Sequence, residues 1–343
     1  MATIKDVAKM AGVSVSTVSR ALSDSTTVSK EKRKRIQRAV NELQFVPDYT
    51  ARALKKGRTN TISLLVPTIL NPFFPHLVSC FNSEINRYGY AMILYVTNYS
   101  KLEERKCFES AKAFSSDGIL YVPGTDDRKH VQELIDFNIP TIIINRKPDV
   151  TAPCVTNNDY LGAYRTVEHL IRSGHRKICC FVGDTSLQHM RERYMGCRQV
   201  FADYDIDLNQ EVFSEHNTAN DIYHFVKNIL SLERGGITAF YASSDWMTKA
   251  IYSGIQSSNL EIPKDISVVG FDDISDSQYM FPPLTTWHHP IEIIAKKAVE
   301  NLVDNLENGT DISSSSIVVN GQLIIRSSTS RIGSAPIKNR PND

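Results

Sequence analysis

"GVSVSTVSRALS", residues 12–23, opens on a glycine and then alternates small hydroxyl residues with valines up to an arginine; "KEKRKR" follows at residues 30–35. The stretch reads as the middle of three short helices. Thr3, with Asp6 three residues on, is a capping pair for a first helix over roughly 4–11, whose apolar side is Ile4, Val7, Ala8 and Ala11. Gly12 supplies the turn, Val13 plugs inward, and Ser14 caps a second helix over about 15–22. On that helix Val18 and Leu22 face the first helix, while Val15, Ser16, Ser19 and Arg20 lie towards solvent. Two short helices joined by a glycine turn form a helix-turn-helix, whose second helix enters the major groove of DNA by its N-terminal end. Short side chains at Val15 and Ser16 let that helix lie close to base edges. Valine can touch a thymine methyl, serine can donate or accept, and Arg20 can reach a guanine or a phosphate.

Ser29 then caps a third helix over about 30–43, buried through Ile36, Val40 and Leu43. Its other faces carry the basic run. Alone, such a run is a solvated helix face; beside a helix-turn-helix it becomes a set of phosphate contacts that begins at Lys30. Pro47 stops the helix. "DYTARALKK", residues 48–56, has the length of two helical turns before Gly57. A helix so short is marginal in water by itself and folds only against a partner. It reads equally as a coupling element and as a plain interdomain linker.

The charge of the 343-residue chain divides in the same place. Its 39 Lys and Arg nearly balance its 38 Asp and Glu, but residues 1–60 hold 13 of the bases and only 5 of the acids, a net +8 against −7 for the remainder. A small basic head on a large acidic body is the pattern expected when the head alone meets a polyanion. The apolar fraction, 41%, and the length predict two or three globular units. Lys5, Asp6 and Lys9 interrupt any apolar run at the N-terminus, and no run of membrane-spanning length occurs. The six cysteines show no C-x-x-C spacing and read as reduced, mostly buried residues, which places the chain in the cytoplasm.

From residue 59 apolar strands alternate with amphipathic helices. One run takes in strands at 61–67, 90–96, 117–124 and 139–145 with helices about 75–88, 101–114 and 128–137 between them. A second begins at "PCVTNND", 153–159, and continues through helix 160–173, strand 177–183, helices about 188–204 and 219–232, strand 237–243, helix 245–257 and strand 266–273. Near-continuous apolar strands between helices mean parallel sheets covered on both faces. Two runs predict two doubly wound subdomains with a ligand in the cleft between them, at the C-terminal ends of the strands.

No phosphate loop, dinucleotide fingerprint or nucleophile elbow occurs. The strand ends carry Asn71-Pro72-Phe73-Phe74, Asn158-Asp159, Ser244-Asp245-Trp246 and Asp272-Asp273, with Arg193 on a helix. Carboxylates, a forked guanidinium and stacking rings suit a small polyhydroxylated ligand. Asp159 and Asp245 read equally well as helix caps after their strands. His288-His289 sits on an extended segment where neighbours point to opposite faces, so the pair makes no metal site, and no cofactor set is found. Cys179-Cys180 lies inside a strand and reads as core.

Taken together, "MATIKDVAKMAGVSVSTVSRAL", "VSKEKRKRI", "FVPDYTARALKKGRTNTI", "NPFF", "SGHRKI", "DISVVGFDD" and "PPLTT" resemble the LacI/GalR family of bacterial transcription regulators, in order, from residue 2 to about 330. The resemblance implies a homodimer with a DNA-binding head over 1–47, a hinge helix over 48–58, a core over 59–330 like the periplasmic sugar-binding proteins, and a disordered tail over 331–343. It implies a repressor whose affinity for a pseudo-palindromic operator is switched by a small ligand, a sugar or sugar derivative. The core divides on this reading into 59–150 with 275–300 and 151–274 with 301–330.

By the same resemblance, Val15 and Ser16 match the base-reading pair. Leu54 matches the hinge leucine that wedges into the minor groove, with Ala51 and Arg52 as its neighbours. Thr3, Ser14, Thr17, Ser19, Arg20, Lys30, Tyr49 and Lys55 complete the DNA-facing candidates. In the core, Arg193 matches the ligand-clamping arginine, Asp272 the ligand-binding aspartate, Phe73 and Phe74 the first wall, and Ser244 with Asp245 the pair after the next strand; Asp159 joins them. Two positions depart from the family. His289 stands where a glutamine before Pro290 is usual, and Asn217 falls near where many members place an aromatic wall. The tail lacks the leucine heptads of a tetramer. A pure sugar-binding protein is disfavoured by the basic head, and a carbohydrate enzyme by the lack of a nucleophile–base pair or metal set.

Overall fold

The computed structural model describes residues 2–23, 28–45, 58–147, 149–207, 210–214, 218–232 and 236–332. The chain forms two compact units, Met1–Thr59 and Asn60–Asp343. Of the expected hinge over 48–58, residues 48–57 lie outside the described residues, as do the residues after 332.

The first unit holds α1 (Ile4–Ala11), α2 (Val15–Ser23) and α3 (Lys30–Glu42). Thr3 and Asp6 close a reciprocal capping box at the start of α1. Gly12 ends the helix in the left-handed region, φ 62°, and its N–H donates to the carbonyls of Ala8 and Lys9. The left-handed backbone is what calls for glycine here; a Cβ would also meet the tip of the Arg35 guanidinium, which would have to shift. Val7, Ala8, Ala11, Val18, Ile36 and Ala39 are buried together, with Val13, Leu22, Val40, Leu43 and Phe45 packed around them. Six fully buried apolar side chains make a core too small to tolerate a polar substitution. Ser29 departs from expectation: its side chain makes no cap hydrogen bond, and only its carbonyl engages α3, accepting from the Arg33 amide.

The second unit is built on two sheets. In chain order it runs β1 (Thr61–Val66), α4 (Phe73–Arg87), β2 (Ala91–Val96), α5 (Lys101–Ala113), β3 (Gly118–Tyr121), α6 (Arg128–Ile135), β4 (Thr141–Ile144) and β5 (Cys154–Asn157). It continues with α7 (Asp159–Arg172), β6 (Ile178–Gly183), α8 (Gln188–Asp203), β7 (Gln210–Ser214), α9 (Ala219–Leu232), β8 (Ala239–Ala242), α10 (Asp245–Ser257) and β9 (Ser267–Asp272). A 3-10 turn over Ser275–Tyr279 leads to β10 (Thr285–His288), α11 (Ile291–Asn308), β11 (Ser316–Val319) and β12 (Gln322–Ile324). The first sheet has the order β11-β5-β4-β3-β1-β2 and the second β12-β10-β9-β8-β6-β7. All pairings are parallel except β10 with β12. Central strands such as Ile62–Val66 and Ile178–Val182 are buried on both faces, which is why they read as unbroken apolar runs.

Sheet membership corrects the expected division of the core. β5 pairs with β4 through Ile143–Cys154 and Ile144–Val155, and β11 pairs with β5, so both belong to the first lobe. β10 pairs with β9 and belongs to the second. The strand–helix alternation is the same on both sides of residue 153, and nothing local states which sheet a strand joins. β7, an edge strand beside β6, was also absent from the sequence reading.

The chain therefore passes between lobes three times, after Asn157, after His288 and after Val319. The crossings lie side by side. Asn158 donates from its amide nitrogen to the carbonyl of Val319 at 3.2 Å and from its side chain to Asn320 at 3.1 Å. A Cβ on Gly321 would strike the His288 carbonyl. Three short neighbouring connecting segments thus join the lobes, and the cleft opens beside them.

Candidate functional site

The head presents its hydroxyls in a row. Ser14 Oγ lies 2.9 Å from Ser16 Oγ and 2.8 Å from Thr17 Oγ1, and accepts from the Thr17 amide at 3.2 Å, so Ser14 caps α2 as expected. Val15 and Ser16 are exposed at that N-terminus, as are Ser19 and Arg20. Arg20 Nε donates back to the Ser16 carbonyl at 3.3 Å. Thr3, although engaged in the capping box with Asp6, is exposed, and so is Lys30. The basic run splits in use. Arg35 donates to the Gly12 carbonyl at 3.3 Å and Arg33 to the Val28 carbonyl at 3.5 Å, so these two brace turns, whereas Lys30, Lys32 and Lys34 point to solvent. Tyr49, Ala51, Arg52, Leu54 and Lys55 lie outside the described residues.

In the core, the C-terminal ends of the strands meet at the connecting segments. A cavity of about 600 Å³ is lined by Phe73 and Phe74, Tyr99, Lys101, Asn145, Arg146, His189, Arg193, Ser244, Trp246 and Asp272, among others. A second chamber of about 820 Å³ shares Asn145, Arg146 and His189 with it and adds Asp126, Asp159, Gln188 and Glu192. A groove of about 900 Å³ elsewhere, under α7, meets no strand ends in this way and is lined by Arg165, Glu168 and Arg326.

Arg193, on the buried face of α8, holds the centre. Its Nε donates to Asp159 Oδ1 at 2.7 Å and its Nη1 to Asp272 Oδ1 at 3.2 Å, while the guanidinium stacks 3.7 Å above the Phe271 ring. Burial works against the charge, but Asp159 and Asp272 outweigh it and hold Arg193 firmly protonated. Asp272 is pushed up to about 6 by burial, with Arg193 and the Ser244 hydroxyl opposing the shift. Ser244 Oγ donates to Asp272 Oδ2 at 2.8 Å. Asp272 sits at φ 116° and Asn145 at φ 61°, left-handed conformations that a packed strand end bears only at some cost.

Phe73 and Phe74 pack edge to face at 5.2 Å, and Phe73 meets the His289 ring edge-on at 5.0 Å. Asn71 Oδ1 accepts from the Phe73 amide and starts α4 there, two residues before the expected position. His289 is buried with neither ring nitrogen partnered, and burial pushes it well below the ordinary imidazole range, so it is neutral.

Asp245 does not join this group. Its carboxylate turns into the second lobe, accepting from Ser277 Oγ at 2.6 Å, Thr286 Oγ1 at 2.7 Å and the Ile274 amide at 3.2 Å. It lines neither chamber and stitches α10 to the segment after β9, which corrects its placement among the ligand-binding candidates. Trp246 takes its place on the cleft wall. Asn217 lies outside the described residues.

Asn145, Arg146 and His189 are cleft residues that sequence reasoning missed. Arg146 is 4% exposed, yet its Nε and Nη1 have no partner, nor do Asn145 Oδ1, His189 Nδ1, Asp126 Oδ1 and Gln188 Oε1. Burial draws Arg146 down, against the charges of Tyr99 and Asp126. The signal was present: "INR" ends a strand just as "NND" does, and His189 lies one helical turn before Arg193.

Comparison with known proteins agrees with this geometry. Residues 3–48 match the bacterial regulatory proteins of the lacI family, and residues 167–329 the periplasmic binding protein-like domain. The HTH-type transcriptional repressor PurR of Vibrio vulnificus (strain CMCP6) is 33% identical over 311 residues, covering 90% of this chain and 93% of that protein. The HTH-type transcriptional regulator DegA of Bacillus subtilis (strain 168) is 30% identical over 332 residues, covering 96% and 98%. Among solved structures, a lac repressor dimer bound to operator and the anti-inducer ONPF superposes with a TM-score of 0.82 at 22% identity, over 96% of this chain and 99% of that one. A complex of the transcriptional regulator CelR with cellobiose gives 0.71 at 24% identity, over 96% and 100%. These relatives are transcriptional regulators and not enzymes. With a helix-turn-helix head, a two-lobed core and near full-length identity of 30% and above, the chain belongs to the lacI family of bacterial regulatory proteins.

Proposed function

We propose that the protein is a dimeric repressor that binds a pseudo-palindromic operator through paired heads and is switched by a small polar effector, a sugar or sugar derivative, in the core cleft. One observation carries the effector reading. Six polar groups on Asn145, Arg146, His189, Asp126 and Gln188 are buried beside the cleft without partners. Each such group costs about 1–3 kcal/mol until something satisfies it. Both donors and acceptors are among them; Asn145, Arg146 and His189 border the chamber that Phe73, Tyr99 and Trp246 also line, while Asp126 and Gln188 border the adjoining one. A polyhydroxylated molecule offers matching hydroxyls for the first set and apolar ring faces for the second. The aromatic walls also favour a second reading, a flat heterocycle such as a nucleobase.

The repressor reading is supported by relatives that bear that name and by Val15 and Ser16 at the exposed start of α2. Leu54 is the residue we assign to the wedge between half-sites. Effector binding would favour one arrangement of the lobes about the three connecting segments, and that preference is linked to operator affinity.

Selection of the full-length protein on a random duplex pool, then thermal-shift screening against sugars and nucleobases, tests both halves. The expected results are an inverted repeat with a deformable central step, and a stabilising sugar that alters operator affinity. A selected sequence without two-fold symmetry would overturn the dimeric reading. Stabilisation by nucleobases alone would overturn the sugar.

A further inference from the structure

Among the described residues one mixed cluster of metal-ligating side chains stands apart from the cleft. His76 and Cys80 are four apart on α4 and share one face of the helix. Glu292 lies in the first turn of α11, which packs with α4 in the same core. His76 Nε2 is 3.3 Å from Glu292 Oε1, and the ligand atoms of all three residues lie within 4.8 Å of one another. Four ligands about a tetrahedral zinc ion, bound at about 2.0–2.3 Å, stand roughly 3.3–3.8 Å apart. Small side-chain rotations therefore close the cluster on an ion, with no movement of either helix.

Burial pushes the Cys80 thiol up to about 11, with the charges of Glu292 and Glu84 adding to the shift, so a cation bound there takes the place of the thiol proton. His288 approaches the outer oxygen of Glu292, Nε2 to Oε2 3.9 Å, while its Nδ1 is 3.0 Å from Asp273 Oδ2. The imidazole thus bridges Asp273, within hydrogen-bond distance, and Glu292, at ion-pair distance only. A plain His76–Glu292 surface pair would contribute little and would have no use for a thiol at this distance. The side chains of His76 and Glu292 are 40% and 56% exposed, so an ion has an entry path and room for a water ligand.

We propose that His76, Cys80 and Glu292 bind one zinc-class divalent cation, which clasps α4 to the start of α11. Imidazole, thiolate and carboxylate together select zinc, cobalt or cadmium over magnesium and calcium, since the thiolate is soft. The clasp sits on the first-lobe side of the connecting segments. Glu292 follows Pro290 and His289, and His289 packs on the Phe73 ring at the cleft.

The test is a titration of reduced, chelator-treated full-length protein with cobalt(II), read by absorption. The expected result is one cobalt per chain, a thiolate-to-cobalt charge-transfer band, displacement by zinc, and no effect of magnesium. Cys80→Ser should remove the band, and His76→Gln and Glu292→Gln should each weaken binding by about tenfold or more. Zinc should raise the melting temperature of the wild type by more than that of Glu292→Gln at the same zinc concentration. Absence of the band in the wild type, or its survival in Cys80→Ser, overturns the site. Should Cys80→Ser fail to fold, His76→Gln decides, because that side chain is half-exposed: unchanged cobalt affinity there means other groups hold the metal.

Discussion

Arg193 and Asp159 form an ion pair of 2.7 Å whose two side chains are each only 3% exposed. The pair ties the centre of α8 to the first residue of α7, where the chain has just crossed from the first lobe. Arg193 thus has two duties, to neutralise buried carboxylates and to face the cleft. Arg193→Ala would leave Asp159 and Asp272 buried without a counter-charge, at a cost of about 3–5 kcal/mol in unfolding free energy. Arg193→Lys keeps the charge and loses the fork. It should retain most of the stability and operator binding while weakening the effector about tenfold or more. Urea unfolding and anisotropy with labelled operator, with and without effector, check both variants. An unaffected effector response in Arg193→Lys would remove the residue from the binding site.

Asp245 offers a pH signature. Burial, reinforced by Asp272, raises its folded-state value to about 7 from an unfolded 3.8. A raised acid binds its proton more tightly when folded. Its contribution is therefore fully present below the unfolded value and is lost as pH rises through the folded one. Wild-type protein should gain stability relative to Asp245→Asn as pH falls from about 7 towards 4. Parallel stability–pH curves for the two proteins, measured by urea unfolding, would show that Asp245 does not titrate in that window.

Gly12→Ala places a Cβ at φ 62° and against the Arg35 guanidinium. The left-handed backbone costs about 1 kcal/mol, and the Arg35 brace on the Gly12 carbonyl is disturbed with it. The head should melt at lower temperature and operator affinity should drop, with effector binding unchanged in a calorimetric titration.

Lys30 and Lys32 are exposed at the start of α3 and make no described turn contact, unlike Arg33 and Arg35. Either lysine replaced by alanine should make the log–log salt dependence of DNA binding shallower by about 1, for specific and random duplexes alike. A slope equal to wild type would mean that the lysine meets no phosphate.

The sequence by itself determined whatever depends on neighbours in the chain. The Thr3–Asp6 box, the glycine turn, the Ser14 cap and the exposure of Val15 and Ser16 are all local, because side-chain periodicity and capping act within one or two helical turns. The same holds for most strands and helices of the core, whose apolar runs record burial on both faces. Tertiary structure alone decided which sheet β5, β10 and β11 join, since hydrogen-bonded pairing is made between segments far apart in the chain. It also decided the use of each polar residue at a strand end. Asp245 and Asp272 both follow apolar strands, yet one carboxylate is consumed by Ser277, Thr286 and the Ile274 amide, and the other faces Arg193 at the cleft. Arg146, His189 and the His76–Cys80–Glu292 cluster became visible for the same reason: their partners are brought together by packing.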